Sequence, residues 1–307
     1  MEATILSKVV LPIALFTVMF GMGLSLSVKD FRNVGRSPKS LLLGLSLQLL
    51  FLPLVGFGIA KVFSLSPLLA IGTMVIALCP GGVTSNMFSY LARGNVALSV
   101  SLTAVVSLIT PFTIPVLLAA SMSYFGTESS SISLPIQKTI MTLIAITVLP
   151  IGLGMVVKIK FGNFAQRSES IVKILSMVFL AIVIIGITKQ VWDDLGDFFA
   201  KAGFSSLTLC GLTMLLGFFI SKGLKLPERD AVTNGIEVGI QNGTTGLFIT
   251  STLLNNPVMS IPPAVYSLLM FAIGGFYAAY FSRKLKDGVD ANIDEQELAQ
   301  SDYDSAG

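Results

Sequence analysis

The chain has 307 residues, 53% of them hydrophobic and only 12% charged, with a mean hydropathy of +0.83. Soluble domains carry about 25% charged residues, so too little polar side chain remains to cover a water-facing surface, and lipid is the expected solvent. The absence of histidine removes His-dependent triads, His-ligated zinc or haem, and imidazole proton relays. Cys79 and Cys210 lie in apolar stretches without CxxC spacing, which indicates neither a disulfide framework nor a thiolate metal site. The net charge of +3 comes without a basic cluster, so nothing points to nucleic acid.

A span needs about 20 mostly apolar residues. Nine candidates follow one another at 6–27, 40–63, 67–92, 96–122, 136–159, 170–188, 203–222, 228–255 and 261–282. The apolar run at the N-terminus is too long for a cleavable signal, and basic residues follow rather than precede it. Residues 287–307 hold seven of the 17 acidic residues and read as a disordered tail. The loops after the first, third, fifth and seventh spans and the end of the last carry 15 of the 20 basic residues, with Lys8, Lys61, Lys138, Lys189 and Lys201 on the other side. Positive loops face the cytoplasm. The expected protein is therefore multi-pass in the cell (inner) membrane, N-terminus outside and C-terminus inside, as an odd number of spans requires.

Two candidate spans are interrupted. The third breaks at Pro80-Gly81-Gly82, where proline removes a backbone donor and the glycines weaken helical preference. The eighth breaks between Gly239 and Gly243. Irregular backbone at membrane depth is tolerated only inside protein or beside a water-filled cavity. The breaks lie five spans apart, and an odd offset reverses orientation. Spans one to four then pair with six to nine as an inverted repeat, approximately 1–125 and 168–286, leaving 136–159 unpaired. Interrupted segments in corresponding halves mark a transporter's central site.

Glu237 is the one acid read as lying well inside an apolar span, where a carboxylate costs about 2.5–3.5 kcal/mol on insertion scales. Its expected surroundings are oxygens: Gln241, Asn242 and Thr244 at the same break, Ser85 and Asn86 at the other, Ser99 and Thr103 on one face of the following span, and Gln48 in the second. A carboxylate amid neutral oxygens suits a monovalent cation, sodium ahead of a proton. The half-helices that begin near Thr84 and Thr244 aim positive dipole ends at the crossing, which favours an anionic substrate such as a carboxylate or sulfonate.

The runs Cys79–Val100 with Thr103, Phe20–Phe31 and Ile236–Gly243 closely resemble the bile acid:sodium symporter family, and the resemblance covers roughly residues 6–285. It implies an all-α membrane protein of nine transmembrane helices with an inverted repeat, two discontinuous crossing helices in a core domain, and a panel domain. The transporter domain would be 1–286, followed by the tail at 287–307. It also implies symport of an organic anion with two sodium ions. One sodium would be held by Ser85, Asn86, Ser99, Thr103 and Glu237. The second would be held by Gln48, Glu237, Gln241 and the carbonyls of Val238 and Ile240. Substrate would lie near Val83, Thr84, Asn242 and Thr244. Where bacterial relatives carry Trp-His-Asn in the last helix, this chain has Leu269, Met270 and Phe271. Met270 is thus a substrate-side position of changed chemistry, and a bile acid, pantoate or a keto acid all remain open.

Other classes fit less well. A fold-related arsenite or auxin-type permease would use a thiol at a break, and Cys79 directly precedes Pro80. A proton-coupled carrier would need only Glu237. A channel would conduct without a saturable substrate. An enzyme has no readable nucleophile–base pair.

Overall fold

The computed structural model describes residues 6–27, 38–126, 135–163 and 195–305, with isolated positions at 165, 178, 182 and 185. The described residues are helical, with no strand among them. In chain order the helices are α1 (Lys8–Ser25), α2 (Pro38–Val62), α3 (Pro67–Leu78), α4 (Val83–Leu91), α5 (Val96–Phe125), α6 (Ile136–Lys160), α7 (Leu195–Gly223), α8 (Glu228–Gly239), α9 (Gly243–Leu247) and α10 (Ile261–Ser305). Six of them are long and apolar enough to cross a membrane, and a seventh span results if the bent pair α3–α4 counts as one.

Proline shapes several of these helices. π-helical turns at Leu47–Phe51 in α2 and Ile144–Val148 in α6 each end two residues before a proline, Pro53 or Pro150. Proline cannot donate to the carbonyl four residues earlier, and the wider turn absorbs the lost bond. α5 runs 30 residues with Pro111 and Pro115 inside it. α9 continues into a π-helical stretch, Phe248–Leu253.

The nine-span expectation meets this structure unevenly. α3 and α4 form the third span, bent by 65° at Cys79–Gly82. The sixth candidate, 170–188, lies outside the described residues. The eighth is the broken pair α8 and α9. α8, at 12 residues, is too short to cross alone and carries Asp230 and Glu237, yet every residue from Asp230 to Gly239 is buried. Its neighbours α2, α4, α5, α7 and α10 enclose it, so its polar groups face protein rather than lipid. The backbone of α10 continues as helix through 287–305, the segment whose acidic composition predicts disorder.

α1 lies along α6 in an unusually close approach. A Cβ on Gly23 would collide with the Ile151 carbonyl oxygen, and one on Gly154 with the Phe20 carbonyl oxygen. Small residues let membrane helices approach backbone to backbone. The main apolar core joins α1, α3, α8 and α10, while Leu50, Leu54, Phe219 and Phe276 stand more than half exposed on the outer faces. Such an apolar exterior requires lipid.

Candidate functional site

The two breaks meet, and their backbones bond to each other. The Asn242 amide donates to the Pro80 carbonyl across 2.8 Å. Both downstream half-helices start at this junction. α4 opens after Gly82, whose amide donates to the Ser85 hydroxyl at 3.3 Å. α9 opens after Asn242, whose side-chain oxygen accepts from the Thr245 amide at 3.0 Å. Side-chain caps of this kind satisfy amides that a helix start leaves free.

Glu237, 3% exposed on the last turn of α8, projects towards α5. The Ser99 hydroxyl donates to its Oε1 at 2.5 Å and the Thr103 hydroxyl to its Oε2 at 2.8 Å. The Asn86 side-chain oxygen accepts from Ser99 at 2.8 Å, and the Ser85 hydroxyl lies 3.3 Å from that of Thr103. All five residues proposed for a first cation thus share one network drawn from α4, α5 and α8. Ser99 and Thr103 turn to Glu237 rather than to their own helix carbonyls, the local alternative open to such residues.

On the other flank, the π-helical turn of α2 carries Gln48. Its amide nitrogen donates to the Cys79 carbonyl at 3.1 Å and to Gln241 Oε1 at 2.7 Å. The Gln241 amide donates to the carbonyls of Val238 at 2.9 Å and Glu237 at 3.3 Å. Gln48 Oε1 is buried without a partner. A buried acceptor left bare carries a desolvation cost, and a cation beside it would remove that cost. Gln48 and Gln241 are therefore together, with the Val238 carbonyl, while Ile240 is the extended residue of the break.

The substrate-side residues are more dispersed. Asn242 lies beside Gly82, where a Cβ would meet its amide nitrogen at 3.4 Å. Val83 and Thr84 form the first turn of α4, and Thr244 is buried at the start of α9. Met270 packs into the main apolar core. Next to the Pro80 break is a small cavity of about 10 Å³, room for about one water, walled by Met19 of α1, Leu143 and Thr147 of α6, Ser107 and Thr110 of α5, and Thr245 of α9. The Ser107 and Thr245 hydroxyls are buried without partners.

Four features escape a reading of sequence alone. Gly81 has no Cβ where one would lie 2.9 Å from Glu237 Oε2, 3.1 Å from the Ser85 hydroxyl and 3.3 Å from that of Thr103. Tyr266, fully buried, donates to the Gly239 carbonyl at 2.8 Å, and the Cys210 thiol donates to the same oxygen at 3.2 Å. Asp230 is buried as well, at 4% exposure, so Glu237 is not alone among acids inside the protein. Its spacing of seven residues from Glu237 was a signal in the sequence, since it puts both on one helical face. The Cys79 thiol, the group an arsenite permease would need, is 1% exposed and donates to the Val75 carbonyl of its own helix.

An all-helical arrangement of the described residues with several apolar helices, and two interrupted helices bonded beside a buried carboxylate, is consistent with a membrane transporter. Comparison with known proteins is specific on this point. Residues 12–196 match the sodium bile acid symporter family, and the chain belongs to that family. It is 30% identical over 274 residues to an uncharacterized sodium-dependent transporter, YocS, of Bacillus subtilis, covering 88% of this chain and 82% of the relative. It is 29% identical over 297 residues to the human ileal sodium/bile acid cotransporter, covering 90% of this chain and 81% of the relative. A probable chloroplastic sodium/metabolite cotransporter of rice, BASS2, is 30% identical over 287 residues, covering 91% of this chain and 65% of the relative. The chain is therefore a member of a family of sodium-dependent transporters, and the several apolar helices fit a multi-pass membrane protein.

Proposed function

We propose that this chain is a sodium-coupled symporter of an organic anion that works by alternating access. The observation that carries the proposal is the buried Glu237 carboxylate, ringed by neutral oxygens from three helices where two broken helices bond to each other. One sodium ion would sit among Ser85, Asn86, Ser99, Thr103 and Glu237. A second would take Gln48, Gln241, Glu237 and the carbonyls of Val238 and Ile240, where the bare Gln48 Oε1 is available. Sodium neutralises Glu237, turns the Ser99 and Thr103 hydroxyl oxygens from donors to the carboxylate into ligands, and ties α4, α5 and α8 together. This sets the starts of α4 and α9, beside Asn242, Thr84 and Thr244, to receive an anion. Sodium and substrate then raise each other's affinity by one factor, because binding linkage is reciprocal.

The cavity beside Pro80 holds only about one water, far below the about 300–1,000 Å³ that organic ligands usually fill. A substrate reaches it only when α1 and α6 move away from the crossing helices, with α1 and α6 acting as part of a panel against a core built from the inverted repeats. A carboxylate or sulfonate is the substrate class in this reading, and the relatives named for bile acid and for metabolite transport support an organic substrate. In this reading the protein sits in the cell membrane with its basic loops and acidic C-terminal segment in the cytoplasm.

The test is thermal unfolding of the purified protein in detergent, in sodium against potassium at matched ionic strength, for wild type and Glu237→Ala. A saturable, sodium-specific rise in Tm that vanishes in the variant is expected. A Tm indifferent to sodium but responsive to pH would replace sodium with a proton and overturn the proposal.

A further inference from the structure

Asp230 lies two turns before Glu237 on α8, about 10 Å away along the helix axis. It is 4% exposed, and no described lysine or arginine pairs with it. Its described partners are neutral. The Ser40 hydroxyl of α2 donates to its Oδ2 at 2.6 Å, and the Asn95 amide donates to its Oδ1 at 2.8 Å. Among the described residues no cation offsets this carboxylate, and burying one on neutral partners alone is costly.

Asn95 supplies the connection. Its side-chain oxygen caps α5 by accepting from the Leu98 amide at 3.1 Å. Its backbone amide donates to the Thr233 hydroxyl at 2.8 Å and to the Arg229 carbonyl at 3.3 Å. Gly94 makes this seam possible, since a Cβ there would meet the Thr233 hydroxyl at 2.6 Å. The start of α5 is thus fastened to the first turns of α8. One turn further along α5 stands Ser99, and two turns along stands Thr103, the two hydroxyls on Glu237.

We propose that Asp230 is a positioning residue for the Glu237 cation site: through Asn95 it fixes where α5 begins, and its buried negative charge draws the cation into the site. The proposal rests on the carrier reading above. A unit charge at about 10 Å, at an effective dielectric constant of about 20, changes cation affinity about tenfold.

The experiment titrates sodium against Tm for purified full-length wild type, Asp230→Asn, Ser40→Ala and the double variant Asn95→Asp/Asp230→Asn. Asp230→Asn keeps the shape and can still accept from Asn95, but it loses the charge, so its sodium midpoint is expected to rise about tenfold. Ser40→Ala keeps the charge and should leave the midpoint near wild type. In the double variant the bond between positions 95 and 230 re-forms with its direction reversed, and the carboxylate introduced at position 95 still caps α5, so the midpoint should return close to the wild-type value. An Asp230→Asn protein with lower Tm in sodium-free buffer but an unchanged sodium midpoint would make Asp230 merely structural and overturn the proposal. So would a double variant as weak as the single one. If Asp230→Asn yields no folded protein, the double variant decides by the same criterion. A wild type blind to sodium sinks the carrier reading and this proposal with it, whereas a responsive wild type beside an unaffected Asp230→Asn sinks only the proposal.

Discussion

Replacing Gly81 by alanine tests the cation site without touching any group proposed to bind the ion. The added methyl would sit 2.9 Å from Glu237 Oε2, 3.1 Å from the Ser85 hydroxyl and 3.3 Å from the Thr103 hydroxyl, inside van der Waals contact of all three oxygens. Overpacking a close-fitting site costs about 1–3 kcal/mol, and if the strain falls on the cation-bound arrangement, sodium affinity drops about 5- to 150-fold. A site occupied at 100 times its Kd stabilises the fold by about 2.7 kcal/mol, and a thirtyfold loss of affinity leaves about 0.9 kcal/mol. For a chain of this size the sodium-induced rise in Tm would shrink from about 5–11 °C to about 2–4 °C. Gly82→Ala is the matched control, because its methyl meets nothing closer than the Asn242 amide nitrogen at 3.4 Å, an ordinary contact. Differential scanning fluorimetry across a sodium series reads both variants. A Gly81→Ala protein with the wild-type sodium midpoint, or a Gly82→Ala protein equally impaired, would refute the assignment of this space to the ion.

Two further outcomes are expected. Tyr266→Phe removes the hydroxyl that donates to the Gly239 carbonyl at 2.8 Å and leaves only a weak thiol donor there. Its denaturation free energy should fall by about 1–3 kcal/mol while its sodium midpoint holds, and a raised midpoint would instead place Tyr266 in the site itself. At the exposed end of α8, the hydrogen bond from Lys284 at 2.6 Å holds the Glu228 carboxyl below its usual range, aided by the charges of Lys284 and Lys222. A carboxyl lowered by folding adds stability above its unfolded value of about 4.3 and loses it as pH falls through the lower folded value. The pair is solvent-exposed, so the contribution stays within about 1 kcal/mol. Lys284→Met should flatten that acid limb in a Tm–pH profile, and an unchanged limb would mean the pair contributes nothing.

The breaks were legible because Pro80-Gly81-Gly82 and the Gly239–Gly243 stretch state their backbone consequence directly. The oxygen set was legible because Ser99 and Thr103 lie four apart on one helix, and because an intramembrane acid such as Glu237 demands partners. Gly81 was legible only as a helix breaker. That its missing Cβ clears the space beside Glu237 depends on how closely α5 approaches the break, which no local pattern encodes. Apart from its spacing from Glu237, Asp230 carries no local sign of burial. It is buried because α2, α4, α5, α7 and α10 close around α8, a fact of tertiary packing. The same enclosure lets a short helix carrying Asp230, Asn234 and Glu237 lie inside the protein. The bond from Tyr266 to the Gly239 carbonyl depends on how α10 packs against the break, which no local pattern encodes.

The glycine contact between α1 and α6 constrains how the cavity beside Pro80 can change shape. With the Gly23 and Gly154 backbones pressed against carbonyls of the opposite helix, the two helices lock together at this point. Met19 on one and Leu143 and Thr147 on the other therefore form a single wall that keeps its own contour. Whatever enlarges the cavity must do so by lifting that wall whole from Ser107 and Thr245, like a shutter rather than a pair of doors.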